Sequence, residues 1–125
     1  MILIDTSVWI DHFRYSLPPL EALLNRAQVL IHPWVIGELA CGHLKNRKII
    51  LRLLEALPQA TLPSHEEAMF FLEQNNLMGR GIGYIDLHLL AATTLTNHAR
   101  LWTLDRRLAL VAGDLRLGFS PSNYS

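Results

Sequence analysis

Four acidic residues stand where the chemistry of this chain could be concentrated. Each follows a short apolar run or lies in the segment after one, and they are Asp5, Glu38, Asp86 and Asp105. Two carboxylates about 4 Å apart repel each other by roughly 4 kcal/mol at the effective dielectric of a protein surface. A cluster of them therefore raises its pKa values or binds a cation. Ligands that are all oxygen favour Mg²⁺ or Mn²⁺ over zinc.

Each acid also has a purely structural interpretation. Asp5, Asp86 and Asp105 are equally suited to cap helix N-termini, and Glu38 alone would fit the solvent side of an amphipathic helix. Three hydroxyls adjoin the acids in sequence: Thr6, Ser7 and Thr103. They are predicted to orient the carboxylates or a metal-bound water, with helix capping as the alternative.

The elements that must position these side chains follow from the apolar pattern. Strands are predicted at residues 2–4, 29–31, 60–62 and 101–103, with an edge strand at 115–119. Helices are predicted at residues 6–14, from 18, at 33–42, at 49–57, from 64, at 85–98 and from 105 to about 112. Strands alternating with helices indicate an α/β fold with a central parallel sheet of four to five short strands, covered on both sides. Ligands bind beyond the carboxyl ends of such strands, where Asp5 and Asp105 are expected.

Composition narrows the class of protein. The 125 residues are predicted to form a single domain, residues 1–125, and half of them are hydrophobic. Acidic and basic residues balance at 11 each, which counts mildly against a nucleic-acid binder without excluding a local basic patch. Cys41 is the only cysteine, so no intrachain disulfide can form. With neither a signal peptide nor a membrane span expected, the sequence predicts a cytoplasmic protein.

Taken together, four segments resemble the PIN domain and, within it, the VapC toxins of bacterial toxin–antitoxin pairs. The segments are Ile4-Asp5-Thr6-Ser7, Pro33-x-x-Ile36-x-Glu38-Leu39-x-x-Gly42, Gly83-Tyr84-Ile85-Asp86-x-x-Leu89-Leu90-Ala91-Ala92 and Leu101-x-Thr103-x-Asp105. They span nearly the whole chain. The resemblance implies a three-layer α/β/α sandwich around a parallel sheet.

The resemblance also implies a function. Members of the family bind Mg²⁺ or Mn²⁺ through an acid cluster and cleave RNA. By position, Asp5 and Asp86 correspond to the principal metal ligands, and Glu38 and Asp105 to the remaining acids, all four counted as catalytic. Many members have serine where Gly83 stands, which removes one hydroxyl contact. The family further implies a VapB-like antitoxin, a homodimer or toxin–antitoxin hetero-oligomer, and transfer RNA as a possible substrate.

RNA must approach this acidic site through positive charge. Arg80, Arg106 and Arg107 flank the acids and are predicted to contact phosphates. Trp34 is expected to pack in the core, although a partly exposed tryptophan could stack a base. The alternative functions are a non-catalytic α/β binding module, whose acids are only caps, and another metal-dependent phosphoesterase.

Overall fold

The sheet consists of short strands, and its central strand is entirely apolar. A computed structural model describes residues 1–121 and contains β1 (Ile2–Ile4), β2 (Val29–Leu30) and β3 (Arg100–Trp102). All pairs are parallel in the order β2-β1-β3. The three side chains of β1 are at most 8% exposed, although they point alternately to opposite faces. Both faces of the central strand are therefore covered, as a parallel sheet requires.

Helices occupy most of the chain between and after these strands. They are α1 (Thr6–Tyr15), α2 (Pro18–Asn25), α3 (Pro33–Ala40), α4 (Arg47–Glu55), α5 (His65–Gln74), α6 (Tyr84–Leu95) and α7 (Arg106–Asp114). Proline at the first turn begins α2 and α3. Ser64 and Glu67 form both bonds of a capping box at α5. The predicted α/β class is confirmed, and no helix in residues 1–121 is long and apolar enough to cross a membrane.

The predicted number of strands is wrong. The sheet within the described residues has three strands, not four or five, because the segments 60–62 and 115–119 each pair near one position only. Gln59 forms an isolated parallel bridge with Ile31, and Gly118 forms one with Leu101. The Thr61 N–H bonds to the hydroxyl of Thr96, the residue after α6, and so does not continue a strand.

The other edge ends in the same way, because the backbone around Gly118 turns toward a helix. Leu117 donates its N–H to the carbonyl of Ala112 in α7, while its own carbonyl accepts from Leu101. Phe119 donates to Leu101 and completes the bridge. Proline at position 121 has no N–H to donate, which prevents further pairing there.

The sheet and α6 together hold the carboxyl edge in place. The carboxyl ends of β1 and β3 meet at one edge because the strands are parallel, and their successors are Asp5 and Thr103. Helix α6 is buried continuously over residues 87–93. A helix anchored so deeply fixes its first turn, which carries Asp86.

Candidate metal centre and active site

Asp5 lies at the carboxyl end of the central strand and is 6% exposed. It occupies the residue before α1, the position of a capping side chain. Its carboxylate oxygen Oδ2 instead accepts two hydroxyl bonds, from Ser7 Oγ and from Thr103 Oγ1, each at 2.7 Å. Of the two interpretations left open by the sequence, the geometry favours a held carboxylate over a helix cap.

Backbone groups fix the direction of these hydroxyl bonds. Leu104 N–H donates to Ser7 Oγ, and Asp105 N–H donates to Thr103 Oγ1, both at 3.0 Å. Each hydroxyl oxygen is thus an acceptor from the backbone, which leaves its hydrogen free to donate to Asp5. The result is a relay from backbone N–H to hydroxyl to carboxylate, which holds Asp5 in one orientation.

The remaining acids are held by one bond each. Glu38 is exposed on α3, and its Oε1 accepts from Thr6 Oγ1 at 2.6 Å. Asp105 is the N-cap of α7, because its Oδ1 accepts from Leu108 N–H at 2.9 Å. One of its oxygens is therefore committed to the helix and the other is available.

The pKa of Asp86 depends on burial and on the charges of the other three acids. Burial raises the pKa of Asp86 above its ordinary value, and the negative charges of Asp5, Asp105 and Glu38 raise it further. The N–H of Gly83, which bonds to its Oδ2 at 3.0 Å, acts in the opposite direction. The charges of the other three predicted acids therefore reach Asp86, although they contribute less to its pKa than burial does.

The donor set of this site suits a hard divalent cation. All its charged groups are carboxylates, and their mutual repulsion would be relieved by a positive ion. Among residues 1–121, no three histidine, cysteine, aspartate or glutamate side chains converge as a ready-made metal site. That spacing is compatible with Mg²⁺, which usually takes one or two carboxylates and keeps several waters.

The predicted RNA-binding arginines differ in their surroundings. Arg80 is paired with Asp114 at 2.7 Å, so its charge is partly neutralised. Arg106 and Arg107 are exposed at the start of α7. Arg107 lies across Gly81, whose φ is +81°, and a Cβ there would come within 2.6 Å of its Cδ. Glycine at this position leaves room for the Arg107 side chain against the loop.

Comparison with known proteins identifies the family of this chain. No protein-family model matches the sequence. Ribonuclease VapC32 of Mycobacterium tuberculosis, from strain CDC 1551 / Oshkosh and from strain H37Rv, is 44% identical over 108 residues. The alignment covers 86% of this chain and 87% of the relative. This chain belongs to the VapC family.

The predicted resemblance to VapC is thereby confirmed. In this VapC-family chain, hydrogen bonds or charge connect all four predicted acids and all three predicted hydroxyls. The substitution at Gly83 is mild in steric terms, because a Cβ built there would lie 3.9 Å from Asp86 Oδ2. That is ordinary van der Waals contact, so the position has room for a β-carbon.

A group of histidines and aromatic rings beside the acids was not predicted from the sequence. Trp34, expected in the core, is 38% exposed, whereas His32 and His88 are buried at 3% and 4%. The Nδ1 atom of His32 accepts from Trp34 N–H at 3.0 Å and caps α3. The signal available in the sequence was the position of His32, directly after the second apolar run, where Asp5 stands after the first.

Substitution of His32 by asparagine is expected to flatten the dependence of stability on pH below 6.5. Burial lowers the pKa of His32 from 6.5 to about 4, and the charge of His88 adds to this. The unfolded chain therefore binds a proton that the folded chain does not. The stability from neutral His32 is complete above pH 6.5 and is lost as the pH falls toward 4. We expect the wild type to lose about 3 kcal/mol in this way.

Urea unfolding over this pH range measures the difference. Asparagine at position 32 can still accept from Trp34 N–H, so the helix cap is retained. His43→Asn removes an exposed histidine and is the matched control. Equal pH slopes for the wild type and His32→Asn would contradict the prediction.

Proposed function

We propose that this chain is a metal-dependent endoribonuclease and the toxin of a VapBC-type toxin–antitoxin pair. The observation that carries the proposal is the buried carboxylate of Asp5 at the carboxyl end of the central strand, held by the hydroxyls of Ser7 and Thr103 at 2.7 Å. Burial raises the pKa of Asp86, and the charges of Asp5, Asp105 and Glu38 raise it further. A VapC-family chain with that set of carboxylates has the oxygen donors for a divalent cation. The cofactor proposed is Mg²⁺ or Mn²⁺.

Asp5 and Asp86 are proposed as the principal metal ligands, with Glu38 and Asp105 binding directly or through water. A bound divalent cation lowers the pKa of its water and offsets negative charge on the phosphate in the transition state. Ser7 and Thr103 are positioning residues, because they hold the Asp5 carboxylate in one orientation. Such partners of a metal ligand commonly affect metal affinity or activity 10- to 100-fold.

Deprotonation of the attacking water requires an accessible carboxylate. Glu38 is exposed and is held by Thr6, and Asp105 has one oxygen outside its helix cap. Either carboxylate can orient or deprotonate the water. In-line attack by water then leaves a 5′-phosphate and a 3′-hydroxyl.

The substrate and partners are proposed from family membership and charge. Arg106 and Arg107 are exposed next to Asp105 and are available to hold phosphates, whereas Arg80 contributes less while paired with Asp114. Single-stranded or loop RNA is the proposed substrate class, with transfer RNA as one candidate. A VapB-like antitoxin is the proposed partner, and a homodimer or toxin–antitoxin hetero-oligomer is the proposed assembly.

Cleavage of RNA by the purified protein tests the proposal. An end-labelled single-stranded RNA incubated with protein and Mg²⁺ is expected to yield fragments that begin with a 5′-phosphate. The ends can be identified by their sensitivity to a 5′-phosphate-dependent exonuclease. Folded protein that leaves RNA intact would overturn the proposal, and 2′,3′-cyclic phosphate ends would overturn attack by water.

A further inference from the structure

Two aromatic rings form a cluster on the helices that carry two of the acids. Trp34, in the first turn of α3, has its ring centroid 5.5 Å from that of Tyr84, the first residue of α6. The imidazole of His88 lies against both, at 4.3 Å from Trp34 and 4.6 Å from Tyr84. These contacts join the start of α3 to the start of α6.

Both rings are exposed to solvent, unlike the other two tryptophans of the chain. Trp9 and Trp102 are only 2% and 3% exposed, whereas Trp34 is 38% and Tyr84 is 44% exposed. Single exposed apolar residues are ordinary on protein surfaces. Here two neighbouring rings are exposed together, and both belong to helices that carry predicted ligands.

Helix geometry places one of the rings, Trp34, on the face of α3 that carries Glu38. Trp34 and Glu38 are four residues apart on α3, so their side chains share a face about 6 Å apart. Tyr84 is two residues before Asp86, in the same first turn of α6. A polynucleotide with its phosphate at the carboxylates therefore has a base within reach of the rings.

Contacts within the protein hold both rings in position before any ligand arrives. The Tyr84 hydroxyl pairs with His65 Nδ1 at 2.5 Å. The Trp34 ring packs against His88, with ring centroids 4.3 Å apart, and only its backbone N–H bonds to His32 Nδ1. Rings that are already ordered lose little conformational entropy on binding. In the described part of the chain, the buried Nε2 atoms of His32 and His88 have no hydrogen-bond partner. A cluster built only for packing would normally satisfy such atoms.

We propose that Trp34 and Tyr84 form a stacking platform for one unpaired nucleobase of the RNA, adjacent to the phosphate that is cleaved. The proposal rests on the ribonuclease function proposed above. An aromatic platform accepts any base, since every base has a stacking face. It also requires that the base be unpaired, which selects single-stranded or loop RNA.

Variants of Trp34 separate stacking from catalysis. Trp34→Ala is expected to raise KM for single-stranded RNA about 10- to 100-fold with little change in kcat, because it removes binding and leaves the acids intact. Trp34→Phe keeps a ring and should retain most of the affinity. Phe70→Ala is the matched control, because Phe70 is a more exposed aromatic residue, on α5. An unchanged KM for Trp34→Ala would overturn the platform.

Substrates that lack one base identify what the platform binds. An abasic nucleotide placed at successive positions around the cut should raise the wild-type KM at one position, and should have no further effect there in Trp34→Ala. A penalty that is equal in both proteins at every position would overturn the proposal, because the base would then bind elsewhere.

Fluorescence distinguishes failure of the platform from failure of the proposed function. Trp34 is the one exposed tryptophan of the three, so RNA stacked on it should quench emission in the wild type and not in Trp34→Phe. Quenching without cleavage would support the platform and contradict the ribonuclease function. Cleavage without a Trp34 effect on KM or emission would contradict only the platform.

Discussion

Removal of divalent cations is expected to lower the rate of RNA cleavage by at least about 10³-fold, and added Mg²⁺ or Mn²⁺ is expected to restore it. The measurement is the initial rate of cleavage after EDTA treatment and after each ion is returned. Ionic strength must be matched between samples, because contacts to RNA phosphates weaken as salt rises.

The large effect follows from the charge of the site. In the proposed site, Asp5, Glu38, Asp86 and Asp105 would place up to four negative charges beside the negative phosphodiester, and the charges of the other three already act on Asp86. Without a cation these carboxylates repel the substrate, and no group in the acid cluster itself offsets charge that develops in the transition state. Arg106 and Arg107 are outside the cluster and compensate only in part.

Two controls make the result interpretable. Circular dichroism of the chelated protein should show that it remains folded, because the sheet and α6 are held by apolar burial and not by the acids. Asp11→Asn removes a carboxylate of α1 that does not act on Asp86, and should keep its metal-dependent activity. Undiminished cleavage in EDTA would contradict a role for metal.

The α/β class could be predicted because apolar runs and helical periodicity are local signals. The number of strands could not, because it depends on where backbone N–H groups find acceptors. Thr61 is extended and apolar on either side, yet its N–H bonds to Thr96, 35 residues away. The sequence around Thr61 does not show whether its N–H bonds to a neighbouring strand or to Thr96, so an isolated bridge could not be told from a strand.

The site shows the same division between local and distant information. Asp5 was singled out by its place after a strand, but the hydroxyl bond that holds its carboxylate comes from Thr103, 98 residues later in the chain. Trp34 was expected to be buried because tryptophan is large and apolar. Its surroundings depend on residues distant in sequence, since the ring of His88 in α6 lies 4.3 Å from the Trp34 ring, centroid to centroid. Arg80 likewise needed the position of Asp114 to show that its charge is shared.

Asp86→Asn is expected to lower RNA cleavage about 10³-fold while raising the stability of the metal-free protein. The raised pKa means that ionised Asp86 is less favourable in the folded chain than in the unfolded chain. At pH 7 the folded state therefore holds a charge that destabilises it, and this destabilisation is relieved as the pH falls through the raised pKa. Asparagine removes the charge and keeps an oxygen that can accept from Gly83.

Thermal unfolding in EDTA at pH 7 measures the gain, which should be on the order of 1 kcal/mol, or roughly 3–5 °C in the unfolding midpoint. Asp11→Asn again serves as the control, with a change near zero expected. A lower midpoint for Asp86→Asn would show that the bond to Gly83 outweighs the repulsion, against the direction of the pKa shift.

Returning the metal should reverse the order of stability, and this links the two effects. A cation that binds only the folded state stabilises it by an amount that grows with the logarithm of its concentration relative to its Kd, so Mg²⁺ should raise the wild-type midpoint more than that of Asp86→Asn. The repulsion that weakens the metal-free fold is the same charge that attracts the cation. A site of this kind is expected to be less stable than its neutral variant alone and more stable than it with metal bound.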